Sequence, residues 1–155
     1  MYDTILVPTD GSPGAEPAIE NALDLARRYD ASVHALSVID VAELMELDYL
    51  GDRTDFERTI EPLEDAAKDA VQTVVAQARE RDADLEVVTV VRQGIPFEVI
   101  LEYADRIDAD LIVMGTHGRR GLSRFLLGST TERIVRASPV PVLTVRFPED
   151  SEGSE

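Results

Sequence analysis

The apolar run Leu111-Ile112-Val113-Met114 leads directly into Gly115-Thr116-His117-Gly118 and, nine residues later, into Gly128-Ser129-Thr130. A short apolar run predicts a buried strand, and a glycine-rich loop that opens a helix predicts an anion-binding turn at the end of that strand. Glycines in such a loop allow backbone N–H groups to approach a ligand closely and permit a positive φ.

The helix after this loop is predicted to begin at Ser129, because Ser129 followed by Glu132 has the S-x-x-E form of an N-terminal capping box. Its unpaired amides and positive dipole end would then point at the loop. Residues 115–131 contain three arginines, Arg119, Arg120 and Arg124, and no carboxylate, although the formal net charge of the chain is −16. This local reversal of charge favours a phosphate group as ligand. The alternative is that the glycines only turn the chain and Ser129 only caps the helix.

Five short runs rich in β-branched residues predict strands at residues 4–7, 33–38, 85–91, 111–114 and 142–145. The segments between them have helical spacing, with helices expected over residues 15–29, from near Glu61 to Arg81, from Pro96, and over residues 129–137. Ser12 and Pro13 are expected to cap the first helix, and Pro62 to lie in the first turn of the second. Strands alternating with helices predict a single α/β domain with a parallel sheet. The long connection over residues 40–55 is compatible with a lid, a partner-contacting flap or an irregular excursion.

The composition excludes several function classes. Thirty-one Asp and Glu outweigh fourteen Arg and a single lysine, Lys68, so the chain lacks the positive surface that nucleic acids require. The absence of cysteine excludes a disulfide scaffold and a cysteine metal site. No apolar run is long enough to span a membrane and no leader is recognisable, so we expect a cytoplasmic protein. The acidic excess with scarce lysine indicates a halophilic, salt-adapted protein rather than a merely acidic one.

Three stretches together resemble the universal stress protein family: Leu6-Val7-Pro8-Thr9-Asp10-Gly11-Ser12, Leu36-Ser37-Val38-Ile39-Asp40, and the Gly-x2-Gly-x9-Gly-Ser-Thr pattern that starts at Gly115. The last pattern is similar to that of the ATP-binding branch of the family. The resemblance covers residues 1 to about 147. It implies a doubly wound sheet of five parallel strands in the order 3-2-1-4-5 with four main helices, as in adenine nucleotide alpha hydrolase-like folds, with nucleotide bound where the order reverses.

The resemblance also implies which residues bind the nucleotide. Pro8 and Asp10 would flank the nucleoside, and the backbone of Val38 would read the edge of adenine. Contacts of Arg119 and Arg120 with phosphate are inferred from their charge alone, because the family pattern does not specify which residues stand at these two positions. The complete set of expected binding residues is Pro8, Thr9, Asp10, Val38, Gly115, Thr116, His117, Gly118, Arg119, Arg120, Gly128, Ser129 and Thr130.

Asp10 has two readings: it holds the ribose hydroxyls or reaches Mg²⁺ through water, or it only forms the turn after the first strand. The expected ligand is ATP with Mg²⁺, with AMP or another adenine nucleotide as alternatives. No catalytic residues are assigned, because the chain has neither a P-loop lysine nor a nucleophile elbow. His117 is interpreted as a polar loop residue, and His34 as a hydrogen-bonded histidine at the core or edge of the sheet.

The leading interpretation is therefore a noncatalytic or very slow ATPase with a regulatory role in stress tolerance. A nucleotide hydrolase or nucleotidyl-transfer enzyme using Asp10 and His117, and an interaction module that binds no nucleotide, are the alternatives. Because the family commonly pairs its last strand with that of a second subunit, we expect a homodimer through Val142–Val145. A tail that folds over this edge is the alternative. Residues 1–147 would form the nucleotide-binding domain and residues 148–155 an acidic disordered tail.

Overall fold

The structure is a computed structural model that describes residues 1–42, 53–117 and 127–148, with only the backbone for residues 53–59. Within these ranges five strands alternate with four α-helices, as the strand and helix patterns predicted. In chain order they are β1 (Thr4–Pro8), α1 (Glu16–Tyr29), β2 (Ser32–Asp40), α2 (Arg53–Arg81), β3 (Val87–Gly94), α3 (Pro96–Arg106), β4 (Leu111–Gly115), α4 (Ser129–Ala137) and β5 (Val142–Val145).

The strands form one parallel sheet in the order β3-β2-β1-β4-β5, which confirms the predicted order. The chain winds outward from β1 through β2 to β3, then returns to the other side of β1 to add β4 and β5. The strand order reverses between β1 and β4. In the described residues these two strands pair only through Ile5 with Leu111 and Leu6 with Ile112. The carboxyl ends of β1 and β4 therefore flank the topological switch point, where doubly wound sheets bind ligands.

Both faces of the sheet are buried, because alternate residues of the central strands point to opposite sides. Ile5 and Val7 pack with the apolar faces of α1 and α2, where Leu23 and Val74 are fully buried. Leu6 packs on the other face against α3 and α4, with Ile100 and Ile134. The two apolar layers hold the strand ends in place around the switch point.

Two element starts differ from the prediction. α2 begins at Arg53 rather than near Glu61, so Pro62 lies inside the helix and not in its first turn. A proline interrupts one backbone hydrogen bond of a helix without necessarily ending it. β3 begins at Val87 rather than at residue 85 and extends to Gly94. The predicted lid or flap falls mostly on residues 43–52, which lie outside the described residues.

The start of α1 also differs. Ser12 and Pro13 begin a short 3-10 turn, Pro13–Ala15, and Ser12 makes no side-chain capping bond there. α1 follows from Glu16 with Ala15 at its N-cap. The predicted capping role of Ser12 is therefore wrong, since the inserted turn separates this residue from the α-helix. The Ser12 hydroxyl oxygen is buried without a hydrogen-bond partner among the described residues.

The described helices include none whose length and hydropathy would allow it to cross a bilayer.

Candidate functional site

The crevice at the switch point opens where β1 stops pairing with β4. The Thr9 N–H donates to the Leu36 carbonyl of β2 at 2.8 Å, so by strand alternation the nitrogen of Pro8 faces β4. Proline has no N–H to donate, and the ladder between β1 and β4 ends at Leu6. The missing N–H of Pro8 thus ends the backbone pairing between the neighbouring strands β1 and β4.

The same alternation exposes a polar backbone edge on the other wall of the crevice. Leu36 directs its carbonyl toward β1, so Val38, two residues further along β2, directs its N–H and C=O the same way. Pairing between β1 and β2 ends at Pro8 with Leu36, so β1 offers Val38 no further strand residue. Val38 therefore presents a donor and an acceptor side by side at the edge of the crevice.

The N-terminus of α4 faces this edge across the crevice. The N-cap of α4 is Gly128 and not Ser129, so the predicted capping box is wrong. Glu132 instead forms an ion pair with Arg136 at 2.9 Å, and its N–H donates to the Gly128 carbonyl at 2.9 Å. Because glycine has no side chain to cap the helix, the amides of residues 129–131 remain available to a ligand in the crevice.

Gly115 is needed for a different reason from the one expected. A β-carbon at Gly115 would lie 2.6 Å from the Gly14 carbonyl oxygen, so the loop after β1 packs directly on the end of β4. Neither Gly115 nor Gly128 adopts a positive φ; among the described glycines only Gly11 and Gly94 do. Close backbone packing, rather than a left-handed conformation, therefore explains Gly115.

The crevice continues into a cavity of about 490 Å³ between the carboxyl ends of β1, β2 and β4 and the helices above them. Toward β2, α2 and α3 the lining is mostly apolar, although Ser37 and Asp40 also lie there, and toward β1, β4 and α4 it carries hydroxyls, amides and the Asp10 carboxylate. Such a mixture is typical of small-molecule sites. The lining residues are Pro8, Thr9, Asp10, Ala15, Leu36, Ser37, Val38, Ile39, Asp40, Leu63, Ala67, Pro96, Ile100, Met114, Gly115, His117, Gly128, Ser129, Thr130 and Thr131.

Most of the binding residues expected from the sequence lie around this one cavity, although some are about a hundred residues apart in the chain. They are Pro8, Thr9, Asp10, Val38, Gly115, His117, Gly128, Ser129 and Thr130. Thr116 does not line the cavity: it is buried, its N–H donates to the Val145 carbonyl, and its own carbonyl accepts the Gly128 N–H at 2.7 Å. The expectations for Gly118, Arg119 and Arg120 fall outside the described residues.

Asp10 has a local structural role in addition to its place in the lining. Its Oδ1 accepts the Ser12 N–H at 2.9 Å, and Thr9 Oγ1 accepts the Gly11 N–H at 3.2 Å. These bonds form the turn that carries the chain away from β1, as one of the two readings of Asp10 predicted. The carboxylate also lines the cavity, so the turn role does not exclude a ligand role.

The chemistry of the polar end is compatible with a magnesium ion that accompanies a phosphate ligand. Mg²⁺ prefers oxygen ligands and is commonly held by one or two carboxylates together with phosphate oxygens. Asp10 supplies a carboxylate, and Ser129 and Thr130 supply hydroxyls. In the described part of the chain no group of three His, Cys, Asp or Glu side chains could hold a metal on its own. Asp10, Ser129 and Thr130 therefore supply oxygen atoms of the kind that a magnesium ion bound to phosphate would need.

The two histidines lie in different environments. His117 lines the cavity, and its Nδ1 lies 3.0 Å from the Thr116 hydroxyl. His34 lies on β2 away from the cavity, with Nδ1 2.8 Å from the Tyr103 hydroxyl, which confirms a hydrogen-bonded histidine. Burial lowers the pKa of His34, partly opposed by Glu86. Burial likewise raises the pKa of Tyr103, against the opposing charges of Arg92 and Arg106.

Sequence reasoning missed the cavity residues that come from helices. Leu63 and Ala67 of α2, and Pro96 and Ile100 of α3, form much of the apolar end. Helical spacing predicts that Leu63, Ala67 and Ile100 lie on the apolar faces of their helices. Nothing in that spacing separates a residue that packs on the sheet from one that lines a cavity beside it. Position gave a signal only for Pro96, because this residue begins α3 at the carboxyl edge of the sheet.

The fold and the cavity define a doubly wound α/β domain with a ligand site at its switch point. The family model of the universal stress protein family matches residues 1–146. Universal stress protein MJ0531 of Methanocaldococcus jannaschii is 37% identical over 148 residues, which cover 96% of this chain and 84% of that protein. The chain therefore belongs to the universal stress protein family.

Two solved structures extend the comparison. The structure of MJ0577 of Methanocaldococcus jannaschii matches with a TM-score of 0.81 and 31% identity, over 97% of this chain and 99% of that chain. The structure of the universal stress protein from Archaeoglobus fulgidus in complex with dAMP matches with a TM-score of 0.66 and 26% identity, over 92% and 97% of the two chains. The shared architecture thus spans nearly the whole molecule.

Proposed function

We propose that this protein binds ATP with Mg²⁺ in the cavity at the switch point and acts as a regulatory protein in stress tolerance, with no more than very slow hydrolysis. The observation that carries the proposal is the polarity of the cavity. Its apolar end, with Leu36, Leu63 and Ile100, suits a purine ring, and its polar end holds the uncapped start of α4. A nucleotide has the same division between an apolar base and a charged phosphate chain.

The edge of Val38 favours adenine over guanine. Its N–H would donate to N1 of adenine and its C=O would accept a hydrogen of the 6-amino group. Guanine carries a donor at N1 and an acceptor at position 6, so both bonds would be lost and the buried backbone groups left unpaired. We expect ATP to bind about 100-fold more tightly than GTP.

The polar end favours a phosphorylated ligand. The amides of residues 129–131 and the Ser129 and Thr130 hydroxyls would donate hydrogen bonds to the oxygens of the phosphate chain, aided by the helix dipole. A bound Mg²⁺ would neutralise part of the phosphate charge near Asp10, which otherwise repels an anion. The complex of the Archaeoglobus fulgidus relative with dAMP supports an adenine nucleotide as ligand class.

A hydrolase or nucleotidyl-transfer enzyme is the second candidate, because Asp10 and His117 line the same cavity. The lysine that P-loop enzymes use is missing from the site: the single lysine, Lys68, is exposed on α2. Phosphate release from wild-type protein and from Asp10→Ala separates the two functions. Turnover that exceeds the Mg²⁺-only background and disappears in Asp10→Ala would replace the regulatory proposal with an enzymatic one.

Binding itself is tested by native mass spectrometry of the purified protein, followed by calorimetric titration of nucleotide-stripped protein with ATP, AMP and GTP. We expect a copurified adenine nucleotide and a preference for ATP. A stripped protein that binds none of the three would leave the interaction module as the function and would overturn the proposal.

The proposal includes a homodimer formed through β5. Among the described residues this strand pairs only with β4 and is the last strand at that edge of the sheet, and Leu143 is 36% exposed there. An apolar edge strand with unpaired backbone groups favours pairing with the same strand of a second copy around a two-fold axis. We also propose a cytoplasmic, salt-adapted protein, because the surface carries a large acidic excess that concentrated salt would screen.

A further inference from the structure

Thr131 is a buried polar residue that the predicted binding set does not include. It is 4% exposed, and its hydroxyl donates to the Gly115 carbonyl at 2.9 Å. A hydroxyl in the first turn of a helix more commonly bonds within its own turn. Here it bonds instead to the last residue of β4, across the whole Gly-x2-Gly-x9-Gly loop.

A second bond joins the same two elements. The Gly128 N–H donates to the Thr116 carbonyl at 2.7 Å, so residues 115–116 at the end of β4 hold residues 128–131 at the start of α4. The strand side of this clamp is rigid. Gly115 is paired with Val145 of β5 and its α-carbon is packed against the Gly14 carbonyl, so neighbouring elements hold the end of β4 on two sides.

We infer that Thr131 is a positioning residue that fixes the first turn of α4 and thereby sets how strongly the site prefers ligands with more phosphate groups. The inference rests on the proposed function for the identity of the ligand. The uncapped amides of residues 129–131 bind phosphate well only if they are held in one orientation before the ligand arrives. Thr131 provides that restraint through its bond to Gly115, while the base end of the cavity lies on other elements.

Two variants isolate the hydroxyl. Thr131→Val keeps the shape of the side chain and removes the donor, whereas Thr131→Ser keeps the donor and removes a methyl group. Thr73→Val is the control, because the exposed Thr73 hydroxyl donates to the Asp69 carbonyl within α2 and Thr73 does not line the cavity. Nucleotide-stripped proteins are titrated with adenosine, AMP, ADP and ATP in the presence of Mg²⁺.

We expect Thr131→Val to lose about tenfold in affinity for ATP while adenosine binds as tightly as to the wild type. Thr131→Ser and Thr73→Val should stay within about twofold of the wild type for every ligand. Equal losses for adenosine and ATP in Thr131→Val would overturn the inference, because the hydroxyl would then only support the fold. Unchanged ATP affinity would also overturn it.

Hydrogen exchange without ligand tests the positioning separately from the proposed function. In Thr131→Val the amides of Gly128 and Glu132 should exchange about tenfold faster, while the amide of Ser138, bonded to the Ile134 carbonyl at the other end of α4, keeps its rate. Equal acceleration along all of α4, or none, would overturn the positioning role. A wild-type protein that binds none of the four ligands would overturn the proposed function and the phosphate preference, and the exchange rates would still decide whether Thr131 holds the helix.

Discussion

The Gly14 carbonyl oxygen lies directly against the α-carbon of Gly115, at a distance where a β-carbon would come within 2.6 Å of it. Two loops that are a hundred residues apart in the chain thus meet backbone to backbone beside the cavity.

Gly115→Ala should destabilise the protein by about 1–3 kcal/mol, because the new methyl group meets backbone that cannot rotate away. Urea unfolding measures the loss. Gly14→Ala is the control: its β-carbon would lie 3.1 Å from the His117 carbonyl oxygen, so the neighbour needs to move less. An equal or smaller effect of Gly115→Ala would contradict the close packing described for this pair.

Asp10→Asn should weaken binding of ATP with Mg²⁺ by about tenfold while leaving ATP binding in EDTA unchanged or stronger. The amide keeps an oxygen that can accept the Ser12 N–H, so the turn survives, but it loses the charge that attracts the cation. Calorimetry in both buffers provides the comparison. A loss of the same size with and without Mg²⁺ would assign Asp10 to the turn or the ribose alone.

His34 should make the protein less stable as the pH falls from about 7 toward 5.5. Burial lowers the pKa of His34 in the folded state below its usual value of about 6.5, so the unfolded chain takes up a proton that the folded chain does not. The free energy of unfolding therefore decreases as the pH passes below about 6.5 and levels off below the folded pKa.

Urea midpoints of wild type and His34→Asn measured across this range test the effect. The asparagine oxygen can accept a hydrogen bond from the Tyr103 hydroxyl in place of the contact that Nδ1 makes, so the variant removes the titration while keeping a bond to Tyr103. His117→Asn serves as a second control. An identical pH slope in wild type and His34→Asn would show that other groups cause it.

The melting temperature should rise with KCl, on the order of 10 °C between about 0.1 M and 2 M, because salt screens the repulsion among the excess carboxylates. Differential scanning calorimetry at matched pH measures the rise. Equal stability at both salt concentrations would identify a merely acidic protein instead of a salt-adapted one.

Leu143→Glu should convert the proposed dimer into a monomer, because it places a charge on an edge strand that would otherwise be covered. Light scattering at micromolar concentration and high salt gives the mass. Ile95→Glu is the control, since Ile95 is 45% exposed but follows β3 at the opposite edge of the sheet. A monomeric wild type would refute the dimer outright.

The sequence predicted the architecture more accurately than the details of the helix ends. Strand positions followed from β-branched runs bounded by turn residues, and the order of the strands from the family resemblance. The first residue of α4 was predicted correctly as Ser129, but its capping was not, because Ser129 and Glu132 match a capping box and the N-cap is Gly128. Thr131 and Gly128 bond to the end of β4 instead, and these long-range contacts leave no local pattern in the sequence.

The start of α2 was missed for a similar reason. Proline is commonest in the first turn of a helix, so the start of α2 was predicted beside Pro62. The helix in fact begins at Arg53. The crevice itself was predicted at the correct place, yet its cause, the missing N–H of Pro8, became clear only from the pairing register. Register depends on neighbours that a single strand does not specify.

The missing N–H of Pro8 has a further consequence for how the molecule would respond to its ligand. Because the gap between β1 and β4 follows from a proline in the sequence, it is present with and without ligand. The ligand therefore need not break backbone hydrogen bonds between these strands. Separation of β1 from β4 would then take no share of the free energy with which the proposed ligand binds.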